Sequence, residues 1–149
     1  MLVAVIALMS LGAKAQTTNE VEMMQALFGE EKMMVVAEFV KPGKEHIEAF
    51  EKLYNEYEVK RKELGKQSIA LLNEYADKWE GMTDEQADEW MKKVLKVSAD
   101  REKLVRTYYK KIKKATTPII ATQFYQVETY INTAIKAAIY ESIPFVGEK

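Results

Sequence analysis

From Lys44 to Ser142 apolar side chains recur at threes and fours almost without interruption, and this spacing constrains the chain more than any other feature. A helix turns once every 3.6 residues, so such a pattern builds one apolar stripe per helix. Strands need alternation at every second residue, and no stretch supplies it convincingly. The 149 residues include only six Gly and three Pro, so few points can break a helix. The expected fold class is therefore all-α, with about four amphipathic helices.

The first helix is read from Asn19 to Val40, on Val21, Met24, Leu27, Phe28, Met34, Val35 and Phe39, frayed or bent at Gly29. Lys41-Pro42-Gly43 ends it, because proline cannot continue a helix and disfavours helical geometry in the residue before it. The second runs from Lys44 to Trp79 on Ile47, Phe50, Tyr54, Tyr57, Leu64, Leu71, Leu72, Tyr75 and Trp79. Unbroken it would measure about 54 Å at 1.5 Å per residue, with Gly65 as the place for a bend. That length exceeds a compact bundle of this mass and implies an elongated molecule or a partner chain along its flank.

Glu80-Gly81-Met82 separates the second helix from the third. Thr83-Asp84-Glu85-Gln86 is a capping box, in which the Thr hydroxyl accepts from the third backbone N–H and the Gln side chain reaches back to the Thr N–H. Asp84 and Glu85 complement the positive end of the helix dipole. Ala87, Trp90, Met91, Val94 and Leu95 line the apolar face, and Leu104, Val105, Tyr108, Ile112 and Ala115 continue it beyond a kink or restart at Ser98-Ala99-Asp100. Thr117 caps the fourth helix, Pro118 occupies its first turn, where a missing N–H costs nothing, and Ile143-Pro144 ends it. Ile120, Phe124, Val127, Ile131, Ile135 and Ala138 form its face.

Residues 1–15, MLVAVIALMSLGAKA, read as a secretory signal: an apolar run ending in the A-x-A site Ala13-Lys14-Ala15, before the polar Gln16-Thr17-Thr18-Asn19. The run is too short to span a bilayer, which takes about 20 apolar residues. Cleavage would leave residues 16–149 as a single all-α domain in an exported, periplasmic compartment. There are no Cys and one His, which excludes disulfides, thiolate metal sites and multi-histidine sites. A disulfide-free exported chain of this size must be held by its core or by oligomerisation.

The net charge of −1 conceals a strong separation. Residues 16–91 carry nine Lys or Arg against eighteen Asp or Glu; residues 92–114 carry ten against two. The ten cations include Lys92, Lys93, Lys96, Arg101, Lys103, Arg106, Lys110 and Lys111. The third helix is thus either a solvated neighbour of the acidic second helix or a basic, partly apolar surface that attracts acidic protein segments. On the second reading the contact residues are Lys92, Lys96, Arg106, Tyr108, Tyr109, Lys110 and Lys111. Tyr108 and Tyr109 are adjacent and point about 100° apart, so one of them is a candidate exposed contact. The pairs Met23-Met24 and Met33-Met34 are too many for one face, and flexible thioethers suit surfaces that accept varied apolar partners. Nucleic acid is improbable as a partner for an exported chain.

No nucleophile and base stand at workable spacing, no Gly-rich phosphate loop is present, and neither an enzyme nor a cofactor is expected. Asp84 and Asp88 lie one turn apart, but at a helix start they serve the dipole rather than catalysis. His46 with Glu45, Glu48 and Glu38 would give at best a weak metal site of one nitrogen and carboxylates.

Met82-Thr83-Asp84-Glu85-Gln86 resembles the LTxxQ motif of the Spy and CpxP family of small periplasmic helical proteins. Thr116-Thr117-Pro118-Ile119-Ile120 with Phe124 looks like a second copy that keeps Thr, Pro and the downstream Phe but has Thr116 for Leu and Ile120 for Gln. Tyr54-Asn55-Glu56-Tyr57, Tyr75-Ala76, Phe124-Tyr125-Gln126-Val127-Glu128 and Ile143-Pro144 are similar to stretches of exported helical proteins of Bacteroidetes-type bacteria. The resemblance implies an elongated, curved, hairpin-like and dimeric four-helix cradle that binds unfolded or stressed envelope proteins without ATP. The alternatives are a scaffold for one specific envelope partner and a weakly metal-responsive protein.

Overall fold

The computed structural model describes residues 29 and 31–147; residues 1–15, read as a signal peptide, and half of the first helix as read from the sequence lie outside the described residues. Among the described residues a first helix, α1, covers residues 29 and 31–39. Three long helices follow: α2 (Ile47–Lys78), α3 (Asp84–Ala115) and α4 (Pro118–Ser142), with a single 3-10 turn, Trp79–Gly81, between α2 and α3. The described residues are all helix, turn or coil, with no strand.

Each boundary has a local chemical cause. At Thr83 both halves of the capping box form: the Gln86 N–H donates to Thr83 Oγ1 at 3.3 Å and the Thr83 N–H donates to Gln86 Oε1 at 3.0 Å. Thr117 Oγ1 accepts from the Ile120 N–H at 3.2 Å, ahead of Pro118 in the first turn. Before Pro144, Ile143 is already extended and ends α4. Gly43 turns the chain between α1 and α2 at φ +70°, a conformation that side chains with a Cβ rarely adopt.

Two points of continuity that the sequence left open are resolved. α2 runs unbroken through Gly65, and α3 through Ser98-Ala99-Asp100, each for 32 residues or about 48 Å. A glycine inside a helix costs about 1 kcal/mol relative to alanine, too little to end a helix whose face is packed along its length.

α2, α3 and α4 run antiparallel in sequence order. The α2–α3 pairing is fixed by the Trp90 indole N–H, which donates to the Leu71 carbonyl at 2.9 Å, and by Lys93 on Glu74 at 3.0 Å. α1 lies along α2 and α4. Its register is a correction: Met34 is 67% exposed and Phe39 56%, while Lys32, Val36 and Val40 face inward. Spacing by four from Lys32 shows why, since the lysine has anionic partners in the interior that set the rotation of the helix.

The core gathers at the end where α1 joins the α3–α4 turn. Its centre is aromatic: the Tyr57 ring lies 5.5 Å from Tyr108 and 5.2 Å from Phe124, both edge-on, and Tyr54 packs edge-on to Phe124 at 6.3 Å. Val105, Ile112, Ile120, Val127 and Ile131 close around these rings. Toward the α2–α3 turn burial falls away. Leu71, Leu72, Trp79, Trp90 and Val94 are only half-buried there, and Met91 and Leu95 are exposed.

Candidate functional site

The packed end holds a buried ionic centre. Glu128 on α4 has no exposed surface, and Lys32 on α1 is 2% exposed. The Lys32 ammonium stands 2.6 Å from Glu128 Oε1, pairs closely with Glu58 on α2, and donates to Tyr54 Oη at 3.1 Å. Tyr57 Oη donates to the other Glu128 oxygen at 2.6 Å. Arg61 grips Glu58 through Nε at 2.8 Å and Nη2 at 2.9 Å. The ammonium also lies 5.2 and 5.1 Å from the ring centroids of Tyr54 and Tyr57, within cation–π range. Burying charge requires this degree of pairing, because an isolated ion in the interior is costly.

The electrostatics follow from the same contacts. Burial alone would raise the Glu58 carboxyl, but the Arg61 hydrogen bonds and the Lys32 charge outweigh it and hold it below the ordinary carboxylate range. Burial, then the Glu128 charge, pushes the phenols of Tyr54 and Tyr57 far above their ordinary value. Both are therefore neutral donors at any physiological pH.

Periodicity assigned no role to Lys32, Glu58 or Glu128. The signal for Glu128 was nevertheless present, since it falls on the same helical face as Phe124 and Ile131.

The surface expected on α3 is distributed along its whole length. Lys92, Lys96, Lys103 and Lys110 lie within about 40° of one another around the helix and form an exposed stripe opposite the core. Several are paired locally: Lys92 with Asp88 at 2.5 Å, Lys96 with Asp100 at 2.7 Å, and Arg106, beside the stripe, with Glu102 at 2.5 Å. Lys111 turns toward α2, with Glu56 at 3.8 Å and the Tyr108 ring centroid at 4.7 Å. Lys110, Lys113 and Lys114 sit in the last turns of α3, where cations complement the helix dipole.

Of the two adjacent tyrosines, Tyr108 leaves the surface set and Tyr109 stays partly exposed. Tyr108 is fully buried, because its position faces Tyr57 and α4; its hydroxyl is enclosed without a hydrogen-bond partner. Tyr109 is half-buried edge-on to Tyr125 at 6.0 Å. Arg101 turns inward, donating to Ser68 Oγ at 2.8 Å, with its Nε buried and unpartnered; burial lowers its pKa. On the α2–α3 seam lies a shallow groove of about 390 Å³, lined by Leu64, Leu104 and Tyr108 and by Lys60, Glu63, Asp100, Lys103 and Thr107.

The motif residues Met82, Thr83, Gln86, Thr117 and Pro118 all lie at helix starts, where Thr83, Gln86 and Thr117 make capping bonds. His46 lies 3.5 Å from Glu45, and among the described residues no three His, Asp or Glu side chains converge as a metal ion would need. No helix among the described residues is long and apolar enough to cross a membrane. The geometry defines an all-α antiparallel bundle with one packed end and one open end. No protein-family model, curated protein or solved structure matches the chain.

Proposed function

We propose that this is an exported, periplasmic protein that holds non-native or stress-associated proteins without ATP, on the apolar and basic surface of α3 and the open end of the bundle. The observation that carries the reading is the half-covered apolar stripe toward the α2–α3 turn. Met91 is 41% and Leu95 61% exposed there, alongside half-buried Trp90 and Val94 and next to Lys92 and Lys96. Clustered apolar groups rimmed by charge suit contact with another chain's exposed apolar segments. Outward cations draw acidic segments in from a distance. The resemblance to Spy and CpxP supports the same reading and adds a homodimer to the proposal.

Light scattering of an unfolding client protein tests it. Stoichiometric amounts of residues 16–149 suppress aggregation, and less so as salt shortens the reach of the α3 cations to below about 10 Å. Absence of suppression at every ratio overturns the proposal. A pull-down from envelope extract separates a holding protein, which recovers many unrelated clients, from a scaffold, which recovers one stoichiometric partner.

A further inference from the structure

We propose that the α2–α3 seam holds a binding site for a single carboxylate group, centred on Arg101. The residue stands four positions from Val97 and four from Val105, both buried, and so in the middle of the face that α3 turns inward. A purely structural role there calls for another apolar side chain. The position carries a positive charge instead, since a guanidinium keeps its proton in proteins.

Arg101 lacks the counter-charge that such a position requires. Its one hydrogen bond runs from Nη2 to the neutral Ser68 Oγ at 2.8 Å, and its Nε is enclosed without a partner. Arg61 shows the contrast, gripping Glu58 through Nε at 2.8 Å and Nη2 at 2.9 Å. The carboxylates beside Arg101 in sequence are committed elsewhere, Asp100 to Lys96 and Glu102 to Arg106. So are those of the interior, Glu58 to Arg61 and Lys32, and Glu128 to Lys32 and Tyr57. Among the described residues the inner cluster therefore sets three cations, Lys32, Arg61 and Arg101, against Glu58 and Glu128, and one positive charge is left over. Burial lowers the Arg101 pKa, and the like charge of Arg61 acts in the same direction.

Charge selects the ligand. One carboxylate restores neutrality, and its two oxygens match the planar fork of guanidinium nitrogens. A phosphate group carries nearer two negative charges, overshoots the balance and costs more to strip of water. Arg101 is half-buried, and of its unbonded nitrogens only Nε is enclosed, which leaves Nη1 open to an arriving group. Ser68 does not compete for the charge. Its hydroxyl donates to the Leu64 carbonyl at 3.0 Å and offers Arg101 only a lone pair.

The chain has three arginines, Arg61, Arg101 and Arg106, so their Nε–H signals in heteronuclear NMR of the unsubstituted chain report the site directly. Sodium acetate, compared with sodium chloride at equal ionic strength, moves the Arg101 signal along a saturable curve. Arg61, already bonded to Glu58, and Arg106, on the surface, stay in place. A capped peptide with one Glu moves the same signal where the carboxylate arrives on a chain, and a response to acetate alone assigns a free acid. No movement of Arg101, equal movement of Arg101 and Arg106, or a stronger response to phosphate than to acetate overturns the proposal. Arg101→Met gives a second reading. It removes the unbalanced charge and leaves Ser68 bonded to Leu64, so in chloride the variant melts no lower than the unsubstituted chain. Saturating acetate raises the Tm of the unsubstituted chain by about 3 °C and leaves that of the variant unchanged. A variant that melts lower in chloride, or that responds equally to acetate, overturns the proposal. Neither measurement uses an aggregating client, so both stand or fall separately from the holding activity.

Discussion

Glu128 sits at the convergence of three helices, and its surroundings make the interior sensitive to single atoms. Tyr57→Phe removes one oxygen and leaves a buried carboxylate short of a 2.6 Å donor. Hydrogen bonds to charged groups contribute about 1.5–3 kcal/mol, so urea denaturation followed by circular dichroism is expected to show that loss with an unchanged slope. The same cluster sets the pH range of stability. The Glu58 carboxyl is held below its ordinary 4.5, so its contribution is complete above that value and is lost as pH falls through the lower, folded value. Tyr54 and Tyr57 are raised above 10.0, so their contribution is complete below that pH and is lost as pH rises further. Thermal melts across pH are expected to show a plateau between about 5 and 10 with a fall on each side. A loss of stability beginning at pH 7 would contradict this assignment.

The boundaries of the elements were readable because each is set by chemistry within a few residues. Thr83 with Gln86, Thr117 with Pro118, and the stop at Ile143-Pro144 need no distant partner. Thr83→Ala removes an N-cap, an effect of about 1 kcal/mol, and Gln86→Ala in the same background adds little because the two bonds form one unit. A double-mutant cycle in urea measures that coupling. Continuity was harder to read. Gly65 and Ser98 look like breaks in isolation, yet packing along each 32-residue helix carries it across them. The rotation of α1 was misjudged at Met34 and Phe39, which hydrophobicity alone placed inward beside Val35; Val35 does pack against the core, while Lys32 found its anions 26 and 96 positions away in sequence.

At the scale of the molecule, asymmetry is the main feature: aromatic rings and paired charges fill one end, and half-covered apolar side chains mark the other. That open end, together with the α3 stripe, supports the proposed holding activity. The amino-acid sequence by itself determined the all-α class, the long helices and the caps that start and end them, because periodicity and capping are local. It also showed that the cations concentrate in residues 92–114, the third helix. Only the tertiary structure decided that Arg101 turns toward Ser68, and that Lys32, Glu58 and Glu128 meet. A charged residue lowers its energy equally well in water or beside a buried counter-charge, and only the packing of distant helices determines which it finds.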